Sequence, residues 1–135
     1  MIFIDTSVFV SYLVEKDSNH SGAVSIVNDI VSGKHGYAVT SDYVFDETVT
    51  VVLARSKSPE TAIIAGGLIK ESISMLMVDG HIFEDAWVRF KSQEFSGFSF
   101  TDCTILTMIE ENHIEKVATF DKEFKSSGIC EVVGP

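Results

Sequence analysis

Four stretches of the chain place acids where a folded protein would ordinarily avoid them. Asp5 ends the unbroken apolar run Ile2-Phe3-Ile4, and Asp121 ends a second run that begins at Val117. Asp102 opens the inward face of a helical pattern, because Ile105 and Leu106 follow three and four residues later. In mid-chain Asp46 and Glu47 are adjacent. Glu47 shares a helical face with Val44 and Val51, but the pattern alone does not choose between the two acids. Hydroxyls accompany the acids: Thr6 and Ser7, Thr101, and Thr119.

Burying several anions together is costly unless a cation joins them or some become protonated. An all-oxygen set with no His or Cys nearby suits Mg2+ or Mn2+ rather than zinc. Such ions activate water and stabilise the attacking and leaving oxygens of a phosphodiester. The neighbouring hydroxyls can orient the ligands. Any one Asp beside Ser or Thr is ordinary capping chemistry, and it is the recurrence of the theme that points to a site.

The other residues with chemical potential read as structural. His20, His35, His81 and His113 share no spacing, which favours surface or capping roles. Arg55, Lys57, Lys122 and Lys125 are candidates for phosphate contact, with solvated surface the favoured role for each. Phe95, Phe98 and Phe100 flank Asp102, either to stack on bases or to anchor a loop. Trp87 falls on an apolar helical stripe with Phe83, Ala86 and Phe90, which predicts a core position.

The elements needed to position the acids follow from the apolar periodicities. The first run suits a strand buried on both faces, with Thr6 or Ser7 capping a helix to Val14. Helices are predicted over 20–31, 43–57, 59–71 and 101–112, and another after Asp79 that carries Phe83 to Phe90, with Ser41 or Asp42, Ser58-Pro59 and Asp79 as N-terminal signals. Thr48 to Val52 is a β-branched run, yet Phe45, Val49, Val52 and Leu53 recur at helical spacing, so the helix is preferred. Strands are predicted at 37–40, 73–78, 116–120 and 131–133, with a helical turn at 122–125. Strand and helix alternate throughout, which predicts an α/β fold with a mainly parallel sheet.

At 135 residues the chain is expected to form one domain, 1–135. Its net charge of −10 disfavours nonspecific attraction to nucleic acid. No apolar run approaches the roughly 18 residues that span a bilayer, and no basic region precedes the first apolar stretch as in a signal peptide. Cys103 and Cys130 have no metal-site spacing and are expected to be buried, reduced thiols of a cytoplasmic protein.

Met1-Ile2-Phe3-Ile4-Asp5-Thr6-Ser7, Phe45-Asp46-Glu47-Thr48, Phe98-Ser99-Phe100-Thr101-Asp102-Cys103 and Ala118-Thr119-Phe120-Asp121-Lys122-Glu123-Phe124 resemble the four acidic motifs of PIN domains. Among these the chain most resembles the small ribonucleases typified by VapC toxins of toxin–antitoxin pairs. The resemblance covers essentially the whole chain and implies a three-layer α/β/α fold with a five-stranded parallel sheet. It further implies an endoribonuclease dependent on Mg2+ or Mn2+, with Asp5, Glu47, Asp102 and Asp121 as catalytic metal ligands. It favours Glu47 over Asp46 and makes Thr6 and Thr119 supporting hydroxyls; Thr101 joins them by its place beside Asp102. It implies an RNA substrate, a cognate antitoxin and a homodimer.

Two other readings compete. A housekeeping PIN nuclease would process RNA without toxicity, and a PIN-like module could bind RNA or a partner without cutting. A phosphoacceptor signalling domain fits poorly, because the first strand ends in one acid and the strand ending at Thr40 carries no central Asp.

Overall fold

Ile2, Phe3 and Ile4 are all buried, although successive strand residues point to opposite faces. The strand they form, β1 (Ile2–Ile4), is therefore covered on both sides. It lies at the centre of the sheet in this computed structural model, which describes residues 1–134. The remaining strands are β2 (Ala38–Ser41), β3 (Ser74–Leu76), β4 (Lys116–Ala118) and β5 (Glu131–Val133). The order is β3-β2-β1-β4-β5 and every pairing is parallel. Phe3 sits opposite Val39 on one side and Val117 on the other, so the apolar register runs through the middle of the sheet.

The helices are α1 (Thr6–Leu13), α2 (His20–Val31), α3 (Asp42–Ser56), α4 (Pro59–Ser72), α5 (Gly80–Lys91), α6 (Phe100–Glu111) and α7 (Glu123–Ser127). The chain steps outward from β1 to β2 and β3, then returns to place β4 on the other side of β1. The reversal leaves a crevice at the carboxyl ends of β1 and β4, the position at which open α/β sheets bind ligands. Asp5 and the segment Thr119–Asp121 leave the sheet there, and the Asp5 N–H donates to the Ala118 carbonyl at 3.0 Å.

The structure corrects several expectations. Asp5, not Thr6 or Ser7, caps α1, its side chain accepting from Thr6 N–H. Ser41 caps α3, whereas Asp42 lies in the first turn and accepts from Val78 N–H at 2.9 Å. That bond supplies Val78 with a partner beyond the end of β3, which is shorter than predicted. The β-branched run is helical, but the deepest face of α3 is Val44, Thr48 and Val52. Phe45 and Val49 instead meet α4, where a Cβ on Gly66 would lie 3.0 Å from Val49 Cγ1. Leu53 is exposed.

Trp87 is not in the core. It is 42% exposed, because α5 buries Ile82 and Ala86 and turns Phe83, Trp87 and Phe90 partly outward. Trp87 stacks on Phe90, and the Lys91 ammonium lies 5.5 Å from its ring centre. Cys103 is buried, Cys130 is half-buried, and both are free thiols. Among the described residues, no helix is long and apolar enough to cross a membrane.

Candidate active site

The Asp5 carboxylate is held on both oxygens. Oδ1 accepts from Thr6 N–H at 2.7 Å, while Oδ2 accepts from the Ser7 and Thr119 hydroxyls at 2.8 Å each. These two hydroxyls reach the same oxygen from the first and fourth motifs. They also brace the following turn, Ser7 Oγ accepting from Phe120 N–H and Thr119 Oγ1 from Asp121 N–H, each at 3.0 Å. The group is 5% exposed. Burial pushes its carboxyl above the ordinary value of 3.8, against hydrogen bonds from Thr119, Ser7 and Thr6 that pull it down.

Asp102 is positioned by a capping box at the start of α6. Ser99 Oγ accepts from Asp102 N–H at 3.0 Å, and Asp102 Oδ2 accepts from Ser99 N–H at 2.9 Å. A carboxylate at a helix N-terminus is normally favoured by the positive end of the dipole. Here the Asp102 pKa is instead pushed up to about 6, first by burial and then by the negative charges of Asp5 and Asp121, against the Ser99 hydrogen bonds. Asp121 is half-buried, and its Oδ1 accepts from Glu123 N–H at 2.9 Å, starting α7.

The sheet edge thus brings Asp5 and Asp121 close enough to Asp102 for their charges to act on it. Glu47 stands on the second turn of α3, half-buried and without a hydrogen bond or ion pair among the described residues. Asp46, its neighbour, is exposed. Among the described residues, the buried hydroxyls Thr6 Oγ1, beside Asp5, and Thr48 Oγ1, beside Glu47, have no hydrogen-bond partner. No hydrogen bond among the described residues joins the Thr101 hydroxyl to an acid. Ser7 and Ser99 are the residues that sequence reasoning undervalued. The Ser-x-x-Asp spacing of a capping box marks Ser99, whereas only the fold brings Ser7 to Thr119.

Clustered hard oxygens, mutual repulsion and an orphaned buried hydroxyl fit a divalent cation. The acids are neighbours rather than a closed cage. Among the described residues, the three-ligand group whose atoms all lie within 4.8 Å of one another is His81, Asp85 and Glu111, on the exposed surface. There His81 Nε2 lies 2.6 Å from Glu111 and 3.3 Å from Asp85, and Glu111 above all raises its pKa, so the cluster is an ion-pair network.

The remaining candidates separate cleanly. Arg55 is tied to Asp17 at 2.7 Å, and Asp17 also holds Ser11 and Asn19, which makes this arginine structural. Lys57 forms the left-handed cap of α3, and Lys122 is exposed beside Asp121. His20 Nδ1 lies 2.8 Å from the Ser11 carbonyl, consistent with a structural role. His35 departs from the surface expectation, since both its ring nitrogens are buried without a hydrogen-bond partner.

A five-stranded parallel sheet with acids gathered at its reversal point is the arrangement by which the chain can be classed. The chain belongs to the PIN-domain family, whose model matches residues 2–128. It is similar to the VapC ribonuclease of Archaeoglobus fulgidus, with 30% identity over 122 residues, 90% of this chain and 77% of that protein. It is also similar to the 23S rRNA-specific endonuclease VapC20 of Mycobacterium tuberculosis, 25% identical over 132 residues and 98% of each chain. The crystal structure of VapC20, described as a sarcin–ricin loop cleaving toxin, matches with a TM-score of 0.87 and 26% identity over 100% of both chains. VapBC2 from Rickettsia felis, bound to a promoter DNA fragment, shares the fold with a TM-score of 0.69 and 17% identity over 98% of both chains.

Proposed function

We propose that the protein is a metal-dependent endoribonuclease acting as the toxin of a VapBC-type pair. The observation that carries this reading is the gathering of Asp5, Asp102 and Asp121 at the reversal point of the sheet, where burial and the charges of Asp5 and Asp121 raise the Asp102 pKa. Asp5, Asp102 and Asp121, with Glu47 as the fourth, are the proposed ligands, and their all-oxygen chemistry favours Mg2+ or Mn2+. When bound, the ion activates water and stabilises charge on the attacking and leaving oxygens of the phosphodiester.

The chain's own contribution is orientation. Ser7 and Thr119 fix Asp5 Oδ2 and couple it to the backbone of Phe120 and Asp121. Ser99 fixes Asp102. The unpartnered Thr6 Oγ1 is available to a ligand in the crevice. Thr101 is retained as a supporting residue only through its place beside Asp102.

Similarity to a VapBC complex supports an antitoxin partner. The outward aromatic ridge of α5, Phe83, Trp87 and Phe90, supports a homodimer formed on that face. Similarity to VapC20 makes 23S rRNA the first substrate to examine, and RNA as substrate implies action in the cytoplasm. The single unit 1–135 is proposed to suffice for this activity.

The test is cleavage of total RNA and of intact ribosomes by purified protein with Mn2+, Mg2+ or EDTA, beside an Asp5→Asn protein verified as folded. Discrete products that need the metal and Asp5 are expected. Cleavage that persists in excess EDTA would overturn the mechanism. Induced expression should arrest bacterial growth, whereas a housekeeping nuclease would leave growth intact.

A further inference from the structure

The loop from Gln93 to Ser99 joins α5 to α6 and ends at the capping box of Asp102. Its three phenylalanines have different fates. Phe98 is buried and packs edge-on against the fully buried Phe124, with ring centres 5.5 Å apart. Phe100 is half-buried in a cluster with Phe83, Phe90 and Tyr43. Phe95 is 98% exposed.

This exposure does not come from a slack segment. Gln93 spans the loop with its side chain, Oε1 accepting from Phe98 N–H at 2.8 Å and from the Ser96 hydroxyl at 3.0 Å. Its Nε2 donates to the Phe98 carbonyl at 3.0 Å and to the Phe90 carbonyl at 3.3 Å. On the other side Gly97 N–H donates to Glu123 Oε2 at 2.9 Å, and Glu123 N–H donates to Asp121 Oδ1. The loop is therefore clipped between Asp102 and Asp121. Gly97 lies two positions after Phe95, so the Phe95 Cα is within about 8 Å of that anchor.

We propose that Phe95 is a base-stacking finger, which seats an unpaired nucleotide of the RNA beside the acidic crevice and so helps choose the cleavage position. This rests on the nuclease reading. A fully exposed ring has lost its hydrophobic stabilisation, and ordering the loop has cost entropy, so a ligand that covers the ring recovers the first without repeating the second. Its sequence neighbours, Glu94, Ser96 and Gly97, add no apolar side chain to it, unlike the contiguous apolar surface a protein partner covers. The Glu94 carboxylate repels phosphate, so the face of a base is the part of RNA that suits this position. With a net charge of −10 the chain lacks long-range attraction for RNA, and stacking gives affinity that needs no charge.

The probe is a labelled hairpin RNA with a randomised loop. Phe95→Ala is expected to raise KM between about 5- and about 150-fold, the range that loss of one base–aromatic stack implies, with a smaller change in kcat. Cleavage positions within the loop should broaden. Phe95→Tyr and Phe95→Trp should restore both, whereas Phe95→Leu, apolar but without a ring, should not. A second measurement needs no turnover. In an Asp5→Asn background, a fluorescent purine analogue in the loop should be quenched on binding when Phe95 is present and not when it is Ala.

Quenching unchanged by Phe95→Ala, absent with Phe95 in place, or restored equally by Leu overturns the proposal. Metal-dependent, Asp5-dependent cleavage that Phe95→Ala leaves unaltered would do the same while the nuclease reading stands. If the wild-type protein does not cleave at all, the nuclease reading fails.

Discussion

Helix α6 carries acids at both ends, and the two ends are treated oppositely. At its C-terminus Glu110 and Glu111 face the unfavourable end of the helix dipole, and α5 supplies a basic partner to each, Arg89 to Glu110 and His81, when protonated, to Glu111. At its N-terminus Asp102 has the favourable end of the dipole and a capping serine, yet its pKa is raised, first by burial and then by the charges of Asp5 and Asp121. Around those acids the structure supplies hydroxyls and backbone N–H groups. Where the chain provides its own cations, the acids join helices. Where hydroxyls and backbone N–H groups are the partners, the acids are the proposed site for a cation from solution.

The sharpest way to break this comparison is to neutralise one crowded acid. Asp102→Asn should lower metal-dependent RNA cleavage by at least about 100-fold, beyond what loss of a supporting group costs. It should also raise the thermal midpoint of the metal-free protein at neutral pH, since it removes repulsion. A stabilised but inactive protein is the expected pair of results from cleavage assays and calorimetry. Loss of both activity and stability would mean that Asp102 is a structural acid like Glu110.

Next in size are the hydroxyls that aim Asp5. Thr119→Val and Ser7→Ala should each weaken Mn2+ affinity by about 10- to 100-fold, measured by calorimetric titration. Full affinity in both variants would show that Asp5 does not need them.

The pH dependence sharpens the contrast further. The folded-state pKa of about 6 for Asp102 exceeds its ordinary value of 3.8. Metal-free protein should therefore lose stability as pH rises through that window, by on the order of 2 kcal/mol once partial exposure is allowed for. Saturating Mn2+ should flatten this slope, because metal binding favours the ionised form. An equal slope with and without Mn2+ would separate the cation from Asp102.

The smallest effect is expected at the other end of α6. His81 has a raised pKa because of Glu111 and Asp85, so its contribution is complete below 6.5 and is lost as pH rises through the raised value. His81→Ala should remove that dependence, with or without Mn2+, and leave RNA cleavage unchanged. A cleavage defect would show that the surface network reaches the site.

What the sequence alone determined was local. Apolar periodicity and capping residues placed the helices and strands, because those signals act over a few residues of chain. The same patterns marked Asp5, Asp102 and Asp121 as acids out of place, and resemblance to PIN domains distinguished Glu47 from Asp46.

Tertiary structure decided which of these residues meet. The return of β4 to the side of β1 brings Thr119 to Asp5, a contact across 114 residues that periodicity does not encode. The apolar stripe placed Trp87 in the core, whereas packing turns it outward, and the exposure of Phe95 beside buried Phe98 was undecided in the sequence. An apolar side chain states a preference for burial, but only the packed neighbours determine whether there is anything to bury it against.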